Sequence, residues 1–151
     1  MVERQAFLND ELCHPLANHV SHTTLRRHCL NMWKDAKKQI ISEFENLNTS
    51  VNLTTDVWSA LHGLPESYLC VTAHWVNPDT WQMIKRTIAF EVFEYPHSGE
   101  NLFYILDKVI ETFKLQQKIF SISFDNASNN TNAVQRLKIK YDPICNGVFF
   151  S

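Results

Sequence analysis

The chain is poor in glycine, in paired cysteines and in net charge, and each shortage removes a class of function. Three glycines in 151 residues exclude a glycine-rich loop that cradles phosphate. The four cysteines, Cys13, Cys29, Cys70 and Cys145, contain no C-x-x-C pair. The opening Met1-Val2-Glu3-Arg4-Gln5 is not followed by the apolar run of a secretory leader. The cysteines therefore read as reduced thiols of a cytosolic or nuclear protein rather than as disulfides. No run approaches the roughly 18 apolar residues of a membrane span, so no membrane partner is expected. A formal net charge of −2 gives no bulk attraction to nucleic acid. The basic clusters, Arg26-Arg27, Lys34 with Lys37-Lys38, and Lys138 with Lys140, are local.

What remains is an ordinary globular composition, 44% hydrophobic and 20% charged, enough for one domain with a core. Residues 1–23 read as an irregular N-terminal segment. Cys13, His14, His19, His22, His28 and Cys29 are zinc-ligand types, but their spacing matches none of the paired forms that surround a tetrahedral ion. Thr23 or Thr24 can cap a helix over 24–47. Leu25, Cys29, Met32, Trp33, Ala36, Ile40, Ile41, Phe44 and Leu47 recur at the helical period. Arg26, Arg27, Lys34, Lys37 and Lys38 form the other side, which reads as a solvated basic face.

Three strands follow. Val51 to Ser59 is rich in β-branched and aromatic residues, and so is Tyr68 to Val76. A turn at Asn77-Pro78-Asp79-Thr80 leads to a strand from Trp81 to Phe93, with Gln82, Ile84, Arg86, Ile88, Phe90 and Val92 on one face. Short connections make these an antiparallel meander. At Ser98 the period changes. Ser98 is a good N-cap and Glu100 complements the helix dipole, with Leu102, Ile105, Leu106, Val109, Ile110 and Phe113 inward. Ile119 to Phe124 is a near-continuous apolar run, as in a central parallel strand covered on both faces. A turn at 125–130 precedes a helix from Asn132 to Tyr141.

The order is an α/β arrangement, β-β-β-α-β-α behind a long amphipathic helix, and it matches the start of a ribonuclease-H-like fold. A right-handed crossover places the fourth strand beside the first. That arrangement gives Asp56 a meaning. A carboxylate in the middle of Leu53-Thr54-Thr55-Asp56-Val57-Trp58-Ser59 is disfavoured by propensity and by desolvation. Asp125, at the end of the fourth strand, would lie beside it, and two adjacent carboxylates can hold a divalent metal. A strand-end Asp followed by Asn-Ala-Ser is also an ordinary turn and helix cap. Trp58, His74 and Cys70 read as packed core residues.

Four stretches stand in matching order: Thr54-Thr55-Asp56-Val57-Trp58-Ser59, Tyr68-Leu69-Cys70-Val71-Thr72-Ala73-His74-Trp75, His97-Ser98-Gly99-Glu100-Asn101 and Phe124-Asp125-Asn126-Ala127-Ser128-Asn129-Asn130. Together they resemble the hAT superfamily of DNA transposases, in its BED-zinc-finger, RICESLEEPER-like branch, over roughly residues 20–151. The resemblance implies that 48–151 is a truncated ribonuclease-H-like transposase core. It implies Asp56 and Asp125 as the first two acids of an Asp-Asp-Glu triad binding Mg²⁺ or Mn²⁺, with DNA as partner and a nuclear location. The distal Glu, the BED finger and the dimerisation region through which full-length relatives form homo-oligomers have no counterpart in this sequence. On that reading the chain is inactive alone. His97 and Glu100 are possible accessory residues. A domesticated, non-catalytic DNA-binding or interaction protein is one alternative. A small ribonuclease-H-like nuclease using Asp56, Glu100 and Asp125 is another.

Overall fold

A computed structural model describes residues 21–59, 67–93, 97–124 and 130–145. Asp125, Cys13, His14 and His19 lie outside the described residues. In chain order the elements are α1 (His22–Asn46), β1 (Val51–Ser59), β2 (Ser67–Val76), β3 (Met83–Phe93), α2 (Gly99–Thr112), β4 (Ile119–Ser123) and α3 (Asn130–Cys145). This is the expected β-β-β-α-β-α order behind a leading helix. The chain divides into two compact units, and the division falls inside α1, after Lys38.

α1 is capped by Ser21, not by Thr23 or Thr24. The Ser21 hydroxyl accepts the Thr24 backbone N–H at 3.2 Å. A capping oxygen must precede its donor by two or three residues, and Thr24 supplies that donor. From residue 39 onward the helix belongs to the core. Phe44 is fully buried, with its ring edge-on to Trp75 at 5.0 Å and to Phe113 at 6.2 Å. The last turn of α1 contains no basic residue, so its terminal carbonyls lack a local cation. Lys118 supplies one from more than seventy residues away. Its Nζ donates to the carbonyls of Phe44 at 2.5 Å, Leu47 at 2.6 Å and Glu45 at 3.2 Å. Lys114 pairs with the Glu45 carboxylate beside it.

The four strands form one sheet in the order β3-β2-β1-β4. β1 pairs antiparallel with β2, Asp56 opposite Cys70 and Trp58 opposite Tyr68. β1 pairs parallel with β4, Thr54 opposite Ser123. The crossover through α2 thus brings the fourth strand beside the first, as expected. Two expectations fail. β3 does not alternate strictly, because a register shift opposite Val71/Thr72 inserts Ile88 between Thr87 and Ala89. A bulge reverses the alternation beyond it. Lys85 and Thr87 therefore share a face with Phe90 and Val92, while Gln82, Ile84 and Arg86 do not. Nor is β4 covered on both faces. Among the described residues it is an edge strand, with Ile119 and Ile122 buried but Phe120 half exposed.

The reason is that the core lies on one side of the sheet. Val51, Leu53, Leu69, Val71, Ala73, Trp75 and Ile122 share a cluster with Leu102, Leu106, Val109 and Ile110 of α2 and with Ala133, Leu137 and Tyr141 of α3. Fully burying each such aliphatic side chain contributes about 1.5–3 kcal/mol. α2 begins as expected, with the Ser98 hydroxyl accepting the Asn101 N–H. α3 is bound to α2 by charge as well as packing. Lys140 donates to both oxygens of Asp107, at 2.6 and 2.8 Å, and to Glu111 at 2.8 Å. The buried Tyr141 hydroxyl donates to Asp107 at 2.5 Å. Burial, and then this bond to Asp107, raises the Tyr141 hydroxyl above the usual tyrosine range. It stays a donor at any ordinary pH.

Candidate functional site

Side chains alternate across a strand, and β1 divides accordingly. Val51, Leu53 and Thr55 are buried toward the helices, whereas Thr54, Asp56 and Trp58 are exposed on the opposite face. Asp56 therefore sits in a strand without being desolvated. The penalty that made it anomalous is not incurred, because no described helix covers its face.

That face carries a graded set of neighbours. At one end the Ser121 hydroxyl donates to Asn52 Oδ1 at 2.7 Å, and Thr54 Oγ1 lies 2.9 Å from His74 Nε2. Burial, helped by the Lys85 charge, holds the His74 imidazole below its ordinary 6.5. Asp56 and Cys70 come next, directly opposite one another. Beyond them three rings from three strands meet. Tyr68 stacks on Phe90 at 5.2 Å, and Trp58 is tilted against both at 5.4 and 5.7 Å. Trp58 is 46% exposed and Phe90 54%, so Trp58 is not the core residue expected of it. His74 and Cys70 are half-buried on this same face. Period-two counting from Asp56 would have placed Trp58 beside the acid. What counting could not show is that the face stays open.

Asp56 differs from most acids of the sheet unit in having no partner. Glu45, Glu91, Glu100, Asp107 and Glu111 each pair with a lysine or arginine. Among the described residues the Asp56 carboxylate makes neither a hydrogen bond nor an ion pair. β1 and β4 are in register at Thr54 and Ser123, and Thr55 Oγ1 donates to the Ser123 carbonyl at 3.3 Å. In the sequence Asp56 and Asp125 each follow that register pair by two residues.

The accessory candidates lie elsewhere. His97 Nε2 is 3.2 Å from the Ser67 hydroxyl, and its ring lies 4.8 Å from Phe93. Ser67 and Phe93 are buried on the helix side of the sheet. Glu100, in the first turn of α2, takes the Arg136 guanidinium of α3 at 2.9 Å. Among the described residues no three of His, Cys, Asp and Glu cluster closely enough to hold a metal by themselves.

Residues 54–148 match the family model described as the ZBED1 RNase-like domain. The chain belongs to that family. The match begins within β1, two residues before Asp56, and runs past the end of α3, so it covers most of the sheet together with α2 and α3. The chain is also 27% identical over 135 residues to the putative AC transposase of Zea mays, covering 86% of this chain and 16% of that protein. It is 23% identical over 114 residues to the putative transcriptional regulator tpeD of Talaromyces stipitatus, covering 76% and 13%. It is 19% identical over 111 residues to the zinc finger BED domain-containing protein RICESLEEPER 3 of Oryza sativa subsp. japonica, covering 74% and 14%. These matches make the chain a relative of hAT-type transposases, and it spans less than a fifth of the length of each curated relative named here.

Proposed function

We propose that Asp56 is a metal-binding carboxylate of a transposase-type phosphodiester site acting on DNA in the nucleus, with Asp125 as its partner acid. The observation that carries the reading is the unpaired Asp56 carboxylate on the open face of the sheet. Five other acids of the same unit are neutralised by cations. A solvated carboxylate without a counter-charge fits Mg²⁺ or Mn²⁺, which take one or two carboxylates and keep several waters or phosphate oxygens. The sequence positions of Asp56 and Asp125, each two residues beyond the Thr54–Ser123 pair, support the partnership. Bound there, a divalent ion would polarise a phosphodiester and lower the pKa of an attacking water. The chain's own contribution is to anchor negative charge on a rigid central strand. Trp58 follows the acid by two residues on the same face, and Cys70 lies opposite it on β2.

The test is a denaturant titration with and without Mn²⁺. An ion held only by the folded chain raises stability by about 2.7 kcal/mol at a hundred times its Kd. The gain is expected in the natural chain and in Glu100→Gln, and absent in Asp56→Asn. Equal gains in the natural chain and Asp56→Asn would remove the reading. Loss of the gain in Glu100→Gln would instead favour the small-nuclease reading, in which that acid leaves Arg136 to join the metal. A non-catalytic DNA-binding role is supported by one observation, that the Talaromyces relative is named as a putative transcriptional regulator. No Mn²⁺ effect in any variant would favour it.

A further inference from the structure

We infer that the first part of α1, from Arg26 to Lys38, docks the phosphate backbone of duplex DNA. This takes DNA as the partner from the reading above but needs neither Asp56 nor a metal. It concerns residues ahead of the matched family segment, which begins at 54.

The argument is the disposition of charge. Successive residues of an α-helix are about 100° apart and rise about 1.5 Å. Arg26, Arg27, Lys34, Lys37 and Lys38 therefore fall within one arc of about 120°, along about 18 Å of helix. Leu30 is the only apolar residue inside that arc. Asp35, the only acid between residues 22 and 42, projects outside it. Arg26, Arg27, Lys34 and Lys38 are exposed and have no hydrogen-bond or ion-pair partner among the described residues. Lys37 lies over the Trp33 ring, 5.1 Å from its centroid. The sheet unit treats most of its cations differently, though Lys85, Arg86 and Lys138 have no acid partner among the described residues. Lys108, Lys114, Arg136 and Lys140 pair with acids, and Lys118 caps a helix end.

Four unpaired like charges on one face repel each other and lower helix stability, so the face is arranged for a polyanion. Successive phosphates of one duplex strand advance about 3.4 Å along the axis, so about five such steps match the length of the stripe. Contact with phosphates gives affinity without sequence preference. The apolar residues Leu25 and Met32 project away from the stripe, and Trp33 borders it beside Lys37.

The test is fluorescence anisotropy of the full chain with a labelled duplex of about 20 base pairs, in EDTA, over a salt series. Each neutralised phosphate contributes about −0.9 to the slope of log K against log salt, so these four side chains account for about −3.6. The variant Arg26→Gln/Arg27→Gln/Lys34→Gln/Lys38→Gln keeps helix propensity and is checked by circular dichroism. Its slope is expected to be shallower by about 3 or more. Lys34→Arg/Lys38→Arg keeps the charge and is expected to bind as the natural chain does. Equal slopes in the natural chain and the four-Gln variant overturn the proposal. So does absence of binding at low salt, or tighter binding to phosphatidylserine-containing vesicles than to duplex. Because no metal is present, failure here leaves the Mn²⁺ result at Asp56 independent.

Discussion

Lys140 and Lys34 both stand on helices of this chain and are used in opposite ways. Lys140 is held by two carboxylates and helps fasten α3 to α2. Lys34 faces solvent with no partner among the described residues. The same contrast separates Asp107, gripped by Lys140 and Tyr141, from Asp56, which has no partner among the described residues. In the paired positions charge is part of the architecture. For Asp56 and the basic stripe of α1 we propose that the unpaired charge serves something outside the chain. Both kinds occur in one small protein, so each can serve as the control for the other.

The comparison can be broken by substitutions on the paired side, where losses should be in stability and not in DNA binding. Leu106→Ala, at a fully buried position of α2, is expected to cost about 2–5 kcal/mol by urea denaturation through lost transfer energy and a residual cavity. Lys118→Met removes three bonds to the end of α1 and is expected to cost about 2 kcal/mol, since bonds from a charged donor are worth about 1.5–3. Tyr141→Phe leaves Asp107 its bonds to Lys140, so about 1 kcal/mol is expected. The four-Gln variant of α1 should change stability by less than about 0.5 kcal/mol, as surface substitutions do. A large loss there would show that the basic stripe is architectural after all.

The smallest effect concerns His74. Its imidazole is held below 6.5 by burial and Lys85, so the folded chain binds that proton less tightly than the unfolded chain. The group has no effect on stability at alkaline pH. Its penalty appears as pH falls below about 6.5. The urea midpoint should drop between about pH 7.5 and pH 5.5, and His74→Gln should reduce that drop. An unchanged pH dependence would show that burial and Lys85 do not depress the imidazole.

Much of the fold is visible in the sequence, and the failures share a cause. β1, β2 and α2 are local: alternation, β-branched residues and a Ser98 cap announce them. The bulge at Ile88 depends on how β3 is read against β2, and no window of β3 alone contains that information. Lys118 caps a helix more than seventy residues away, a contact that only the tertiary fold creates. Trp58 was expected in the core because aromatic residues bury well. Its exposure depends on which face the helices cover, and strand chemistry does not decide that. Asp56 stood out in the sequence for the wrong physical reason. Its place inside a strand implies a desolvated acid, and the structure has a solvated one. Its interest lies instead in having no counter-charge among the described residues.

That missing counter-charge is best tested by titrating Mn²⁺ into the isotopically labelled chain and following amide signals. Selective paramagnetic broadening is expected at Asp56, Val57 and, across the strand pair, Cys70, and it should disappear in Asp56→Asn. A well-dispersed spectrum that stays sharp at all three residues would contradict the metal site.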